Sequence, residues 1–336
     1  MLKYYRSALI FTLMSAVAGL ALGGPAVACL VLLLGLLETS VSLDNAVVNA
    51  SILRHWDRRW RNRFLVWGMP VAVFGMRLVF PLLIVAAATG LGPVEVVRLA
   101  SNDPKGYVEC LTAVHAEIAA FGGAFLSMVF FDFMLDGDKD RHWLAWLEMP
   151  LQKLGTLRSV QSALTLLIVL SVSKLLPSAE RMSFLVAGVW GFVTYILAES
   201  MTGLVGRAAR DAQTPRRVIR QGVVGFLYLE LLDAAFSLDG VIGSFALSNL
   251  IVVIALGLGV GAMFVRSMTL HLVNEGTLQE YPYLEHGAFW AMGALTVILF
   301  AGAVVAVPEI VTGSIGAVLI GLSVWSSIVR RRVATG

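Results

Sequence analysis

Between Arg6 and Glu38 the chain carries no charged side chain, and further long apolar runs follow it to the C-terminus. About 20 consecutive apolar residues wound as an α-helix cross the hydrocarbon core of a bilayer. Lipid offers no partners to backbone polar groups, so lipid-spanning runs of this kind must satisfy them internally as helices. Ten candidate spans lie near 7–24, 26–53, 64–90, 111–135, 159–176, 182–204, 221–248, 249–271, 286–307 and 309–329. Composition agrees: 58% of residues are hydrophobic and 14% charged, with a mean hydropathy of +0.83. A soluble domain has roughly a quarter of its residues charged. The expectation is an all-α polytopic membrane protein with little room for a separate soluble domain. Gly23-Gly24-Pro25 separates the first two spans and Pro308 the last two, whereas only Ser248-Asn249 divides the seventh from the eighth. Nine spans is therefore the alternative count. The opening Met1-Leu-Lys-Tyr-Tyr-Arg6 has the outline of a signal sequence, but the apolar run continues to Leu37, so a retained first span is expected.

Basic residues give the orientation. Arg54 to Arg63, Arg207 to Arg220 and Arg330-Arg331-Arg332 are rich in arginine, and cytoplasmic loops carry the Lys/Arg excess. With ten spans these segments, Lys3 and Arg6 all fall on one side, which places both termini in the cytoplasm of a bacterial-type inner membrane. Tryptophans 56, 60 and 67 flank the first basic loop, as an interfacial belt would. The net charge of +3 is no sign of nucleic acid, because the basic residues flank apolar runs and do not gather on a domain. Cys29 and Cys110 form neither a metal-ligand spacing nor a disulfide framework. No paired nucleophile and base, cofactor fingerprint or catalytic metal triad is present, so no enzyme is expected.

Two apolar stretches repeat one acidic signature: Glu38-Thr-Ser-Val-Ser42-Leu-Asp44-Asn45 and Asp233-Ala-Ala-Phe-Ser237-Leu-Asp239-Gly240. Ionisable groups inside a membrane are costly and face a bundle interior or a wet cavity. The first copy falls on span 2 and the second on span 7. Five spans per half reverse the topology, which predicts two inverted five-helix repeats with the site between spans 2 and 7. On this division residues 1–158 hold the first repeat with its cytoplasmic loop, and 159–336 the remainder with the second. Arg77 in span 3 and Arg266 in span 8 correspond in the same way; each either balances a carboxylate or snorkels to a headgroup.

Glu38, Ser42, Asn45 and Asn49 share one helical stripe, as do Asp233, Ser237, Gly240 and Ser244, with Glu230 one turn further. Asp44 lies about 120° away from Glu38 on an ideal helix. Either each Asp serves a separate partner or the helices unwind around Ser42–Asn45 and Ser237–Gly240, and unwinding is preferred for a transporter midplane. Carboxylate, amide and hydroxyl oxygens suit Mn²⁺, Ca²⁺ or Mg²⁺, and the absence of Cys and His from the stripes argues against copper and zinc. Four carboxylates around one divalent ion leave surplus negative charge, so one of them is expected to take up a proton when the metal leaves.

Other acids have competing readings. Glu117 and Asp132 in span 4, with His115, mark either an ion route or the two interfaces; Glu199 in span 6 marks either a pathway or a structural pairing. His115 and Glu117 lack the Pro-Cys-x-x-Cys partner of a zinc deaminase. Asp136-Gly-Asp-Lys-Asp140 lacks the Glu of a calcium loop and reads as a solvated connection. The acidic stretch from Glu275 to Glu285 reads as a connecting loop that could also attract cations.

With both acidic copies in hand, the chain resembles the TerC family of integral membrane proteins, grouped with LysE-type exporters. The segments Ala116-Glu-Ile-Ala-Ala-Phe-Gly-Gly123, His142-Trp-Leu-Ala-Trp-Leu-Glu148 and Leu284-Glu-His-Gly287 resemble one branch of it, long described only as uncharacterised membrane proteins. The resemblance implies metal-ion export, Mn²⁺ foremost, and a historical link with tellurium resistance. By position, Glu38, Asp44, Asn45, Asp233 and Asp239 match the family's acidic motif, while Gly240 stands where relatives often have Ser. The expectation is a divalent-cation exporter with proton antiport, in which Asn49, Ser42, Ser237, Glu230, Glu117, Glu199, Arg77 and Arg266 support the metal site or a proton path. Its partners are the bilayer, the cation and protons, with no organic cofactor and no nucleic acid. A homo-oligomer is compatible with this. The alternative is a non-transporting membrane partner of protein-export or metal-loading machinery.

Overall fold

The computed structural model describes residues 2–157, 159–207, 222–248, 250–305 and 307–335. The basic stretch beyond Arg207, Asn249 at the seventh boundary, and the side chains of Leu238 and Asp239 lie outside the described residues. No strand occurs among the described residues. Six helical stretches are long and apolar enough to cross a membrane: Lys3–Val41, His115–Met134, Arg181–Met201, Ile251–Asn274, Leu284–Gly302 and Val311–Arg332. A pair bent by 51°, Arg58–Gly68 with Val71–Ala87, makes a seventh if it counts as one span. The protein is therefore an all-helical, multi-pass membrane protein.

The chain forms two compact units that interleave in sequence: Met1–His115 with Gln221–Glu275, and Ala116–Arg220 with Gly276–Gly336. The first unit contains α1 (Leu2–Val41), α2 (Leu43–Leu53), α3 (Arg58–Pro70), a π-helical stretch (Val71–Val79), α4 (Phe80–Thr89), α5 (Pro93–Asn102) and α6 (Pro104–Ala113). The second opens with α7 (His115–Met134), α8 (Ala145–Leu154), α9 (Val160–Ser173) and α10 (Arg181–Arg207). The chain returns to the first unit for α11 (Gly222–Leu247) and α12 (Ile251–Asn274), and ends in the second with α13 (Thr277–Glu280), α14 (Leu284–Gly302) and α15 (Glu309–Thr335).

In the first unit α1 is broken at Gly23 and Gly24, and Gly24 adopts φ 75°, a left-handed conformation that side-chain-bearing residues rarely take. Pro25 follows, at a position where a missing N–H costs a new helix nothing. A Cβ at Gly19 would stand 3.0 Å from the Ala28 Cα. Nine residues along a straight helix would separate them by about 13 Å, so the chain folds back on itself here. Helix α12 packs along α1 through a small-residue face. A Cβ at Gly35 would come within 2.6 Å of Val260, and one at Gly257 within 3.2 Å of the Val31 carbonyl oxygen. Close approach through glycines is how helices gain van der Waals contact where lipid already satisfies apolar surface. Lys3 shares a surface cavity with Arg58, Arg61 and Thr269, so the N-terminus and the first basic loop lie together.

In the second unit Ala120, Ala124, Val169, Phe184 and Phe300 form one core. Phe133 stacks on Phe289 with centroids 3.8 Å apart, and Gly293 leaves room for the ring of Phe130. Trp190 and Trp325 are exposed, as apolar faces turned to lipid would be.

Trp56 departs from the interfacial belt read in the sequence. It is buried, edge-on to Phe64, while Trp67 is exposed.

Candidate functional site

The first acidic copy sits where α1 gives way to α2. Ser42 leaves helical geometry at φ −93° and ψ 22°, and Asp44 occupies the first turn of α2. The Asp44 Oδ1 accepts the Asn45 N–H at 2.9 Å, placing a carboxylate at the positive end of the new helix. Flanking ladder bonds survive, from Ser42 N to the Glu38 carbonyl and from Ala46 N to the Ser42 carbonyl, so the feature is a bend of one residue. The second copy behaves differently. α11 runs unbroken from Gly222 to Leu247, and the backbone shows no distortion over Ser237–Gly240. Gly240 has another use: a Cβ there would stand 2.7 Å from the Glu38 Oε2, so the glycine clears space for that carboxylate.

The two copies meet inside the first unit. Asn45 Nδ2 donates to Asp233 Oδ1 at 2.6 Å. Arg77 Nη2 donates to Glu38 Oε1 at 2.7 Å, and its Nη1 reaches Asp233 Oδ2 at 3.3 Å. Ser42 Oγ donates to the same Glu38 oxygen at 3.2 Å. Glu38, Asn45, Arg77 and Asp233 are all buried. Arg77 belongs to the π-helical stretch, and its Nη1 also donates to the Ala72 carbonyl five residues back. Such wide turns are rare and cluster at functional sites. Of the two readings open for Arg77, the structure has it balancing carboxylates.

Beside this cluster a cavity of about 20 Å³ is lined by Asn49, Glu230, Asp233, Arg266 and Thr269, room for about one water. Arg266 donates through Nη2 to the Phe64 carbonyl and lies over the Phe64 ring at 4.4 Å, so it is held by α3. Gly68 permits this approach, because a Cβ there would collide with Arg266 and the Glu230 carboxylate. Asn45 Oδ1, Asn49 Oδ1, Ser237 Oγ and both Glu230 carboxylate oxygens are buried without a hydrogen-bond partner among the described residues.

The expected set is thus brought together in part. Glu38, Ser42, Asn45, Asp233 and Arg77 form one cluster; Asn49, Glu230 and Arg266 border it. Asp44 is buried but turned to its own helix start. Asp239 lies on α11 with its side chain outside the described residues. Glu117 on α7 and Glu199 on α10 belong to the second unit. Among the described residues no three His, Cys, Asp or Glu side chains converge as a metal-ligand group. The hard oxygens present would suit Mn²⁺, Ca²⁺ or Mg²⁺. A guanidinium stands between the two carboxylates that such an ion would need.

Sequence reasoning missed a second buried charge cluster. Glu148 on α8 is fully buried in the second unit. Its Oε2 meets His286 Nδ1 at 2.8 Å and Lys139 Nζ at 3.2 Å. Its Oε1 accepts from Trp290 Nε1 at 3.1 Å and from the Trp143 and Leu144 N–H groups. Burial opposes the charged form of this carboxyl, but the bond and charge of His286, the Trp290 N–H and the Lys139 ammonium outweigh it and hold the pKa down at about 2. Lys139 was read as part of a solvated connection; it is buried because Glu148 needs a counter-ion. The signal was available in the sequence: Glu148 stands inside the apolar run Trp143–Leu151, a few residues after Lys139 and Arg141.

An all-helical membrane protein with paired carboxylates buried around an arginine is the class that fold and cluster define. The family described as "Protein of unknown function (DUF475)" matches residues 43–334, and the chain belongs to that family. The match takes in Asp44, Arg77, Asp233 and Arg266 and begins just after Glu38. No curated protein and no solved structure matches the chain.

Proposed function

We propose that the protein exports divalent cations, Mn²⁺ foremost, by exchange with protons across a bacterial-type inner membrane. The observation that carries this is the 2.6 Å bond between Asn45 and Asp233, which joins the two acidic copies deep in a membrane protein. The likeness of those copies to the TerC motif supports the same reading. On it, Glu38, Asp44, Asn45, Asp233 and Asp239 hold the metal, and one acid carries the returning proton. Ten crossings in two inverted halves, with both termini in the cytoplasm, are part of the proposal. The fold-back at Gly23–Gly24 supports this count by dividing α1 into two arms, and helices cover the other candidate spans where residues are described.

The ion pairs of Arg77 favour a second reading, in which the acids hold helices together in a non-transporting partner of protein-export machinery. Proteoliposomes loaded with the purified protein separate the two. Export predicts Mn²⁺ accumulation in exchange for protons that leave down their gradient, falling by about 100-fold in Asp44→Asn and Asp239→Asn. Absence of Mn²⁺ movement in the wild type, with an unchanged cellular phenotype in both variants, favours the assembly reading.

A further inference from the structure

The Arg77 guanidinium holds the oxygens that a cation would have to take. Glu38 Oε1 receives it at 2.7 Å and Asp233 Oδ2 at 3.3 Å. A divalent ion coordinates carboxylate oxygen at roughly 2.0–2.6 Å, which leaves no room for both on the same side of the carboxylates. We propose that Arg77 is a tethered counter-cation, which pairs with Glu38 and Asp233 between cargo ions and is displaced from them by the arriving metal. This rests on the export reading and adds how the site is kept charge-compensated while one ion has left and the next has not bound.

Three features fit a displaceable arginine better than a fixed one. Its Nε is buried without a partner among the described residues, so the side chain is not saturated where it stands. Its Nη1 also bonds the Ala72 carbonyl at 2.9 Å, a neighbouring acceptor that can keep the group partly satisfied when the carboxylates turn to metal. The charges around it are also unequal. Glu38, Asp44, Glu230 and Asp233 are buried carboxylates in this unit, against the guanidiniums of Arg77 and Arg266. The acids outnumber these guanidiniums, so metal can enter without expelling an arginine from the unit. Two buried carboxylates stripped of every cation would be strongly unfavourable, and a built-in cation avoids that state.

The test is Mn²⁺ binding to the purified full-length protein by titration calorimetry. A site held by a competing tethered group shows its intrinsic affinity reduced by the fraction of time it is free. Arg77→Gln should therefore bind Mn²⁺ about tenfold or more tightly than wild type. Arg77→Lys keeps the charge but cannot bridge two carboxylates with a planar fork, and should fall between them. It serves as the deciding variant if Arg77→Gln does not fold. A purely structural arginine predicts the opposite, equal or weaker binding in the variant that folds, and that result overturns the proposal while leaving wild-type metal binding intact. If wild type and variants all fail to bind Mn²⁺, Ca²⁺ and Mg²⁺, the export reading falls and this inference with it.

Discussion

Glu148 in the second unit and Glu230 in the first are both buried acids, yet their surroundings differ completely. Glu148 takes donors from Lys139, His286, Trp290 and two backbone N–H groups. Neither carboxylate oxygen of Glu230 has a hydrogen-bond partner among the described residues, and beside it lies a water-sized cavity. A saturated buried network rigidifies the elements that it joins. An unsaturated one costs roughly 1–3 kcal/mol per orphaned group and calls for a reason other than stability. The second unit therefore uses buried charge as a fastening between the α7–α8 connection and α14. The first keeps acceptor oxygens in reserve, as a site for a visiting cation would.

The strongest way to break this contrast is Glu148→Ala, which strands the Lys139 charge. It should cost about 3–5 kcal/mol, seen as a lower unfolding temperature of the purified protein. An unchanged midpoint would remove the fastening role. The same group sets a pH signature. Its pKa is lowered from an ordinary 4.5 to about 2, so its stabilisation is complete above pH 4.5 and is lost as pH falls towards 2. Acid titration of thermal stability should show this loss in wild type and a smaller one in Glu148→Gln. A smaller effect is expected of Glu230→Gln, which alters an acid whose oxygens accept no hydrogen bond among the described residues. Stability should change by no more than about 1 kcal/mol, while Mn²⁺ transport falls by about tenfold. A large loss of stability there would make the two acids alike and erase the distinction.

Much of this was legible in the chain. Apolar runs foretell helices because lipid leaves the backbone no other partner. The turn at Gly23-Gly24-Pro25 and the one-residue break at Ser42 follow from residues whose local preferences are strong. The bend expected at Ser237–Gly240 did not form there, because Gly240 answers a demand from Glu38 on another helix. Pairing of that sort is set by tertiary approach and leaves no local trace. Arg77 was open to two readings, balancing a carboxylate or snorkelling to a headgroup, and the π-helical winding that carries it has no composition signature. The Glu148 fastening joins residues far apart in sequence, of which only short segments had looked informative.

The fold-back near the N-terminus has a bearing on how the chain enters a membrane. Wound as one rod, the 40 residues of α1 would reach about 60 Å, twice the hydrocarbon thickness. Turned at Gly24, they become two arms each close to one bilayer in length, with a tip of Gly, Gly and Pro to be carried across. No charged side chain lies between Arg6 and Glu38, so on the proposed topology insertion of this hairpin drags no ion through the lipid. On that topology Lys3 and Arg6 stay on the side where the chain is made. Glu38, the first acidic residue of the site, follows at the end of that charge-free hairpin.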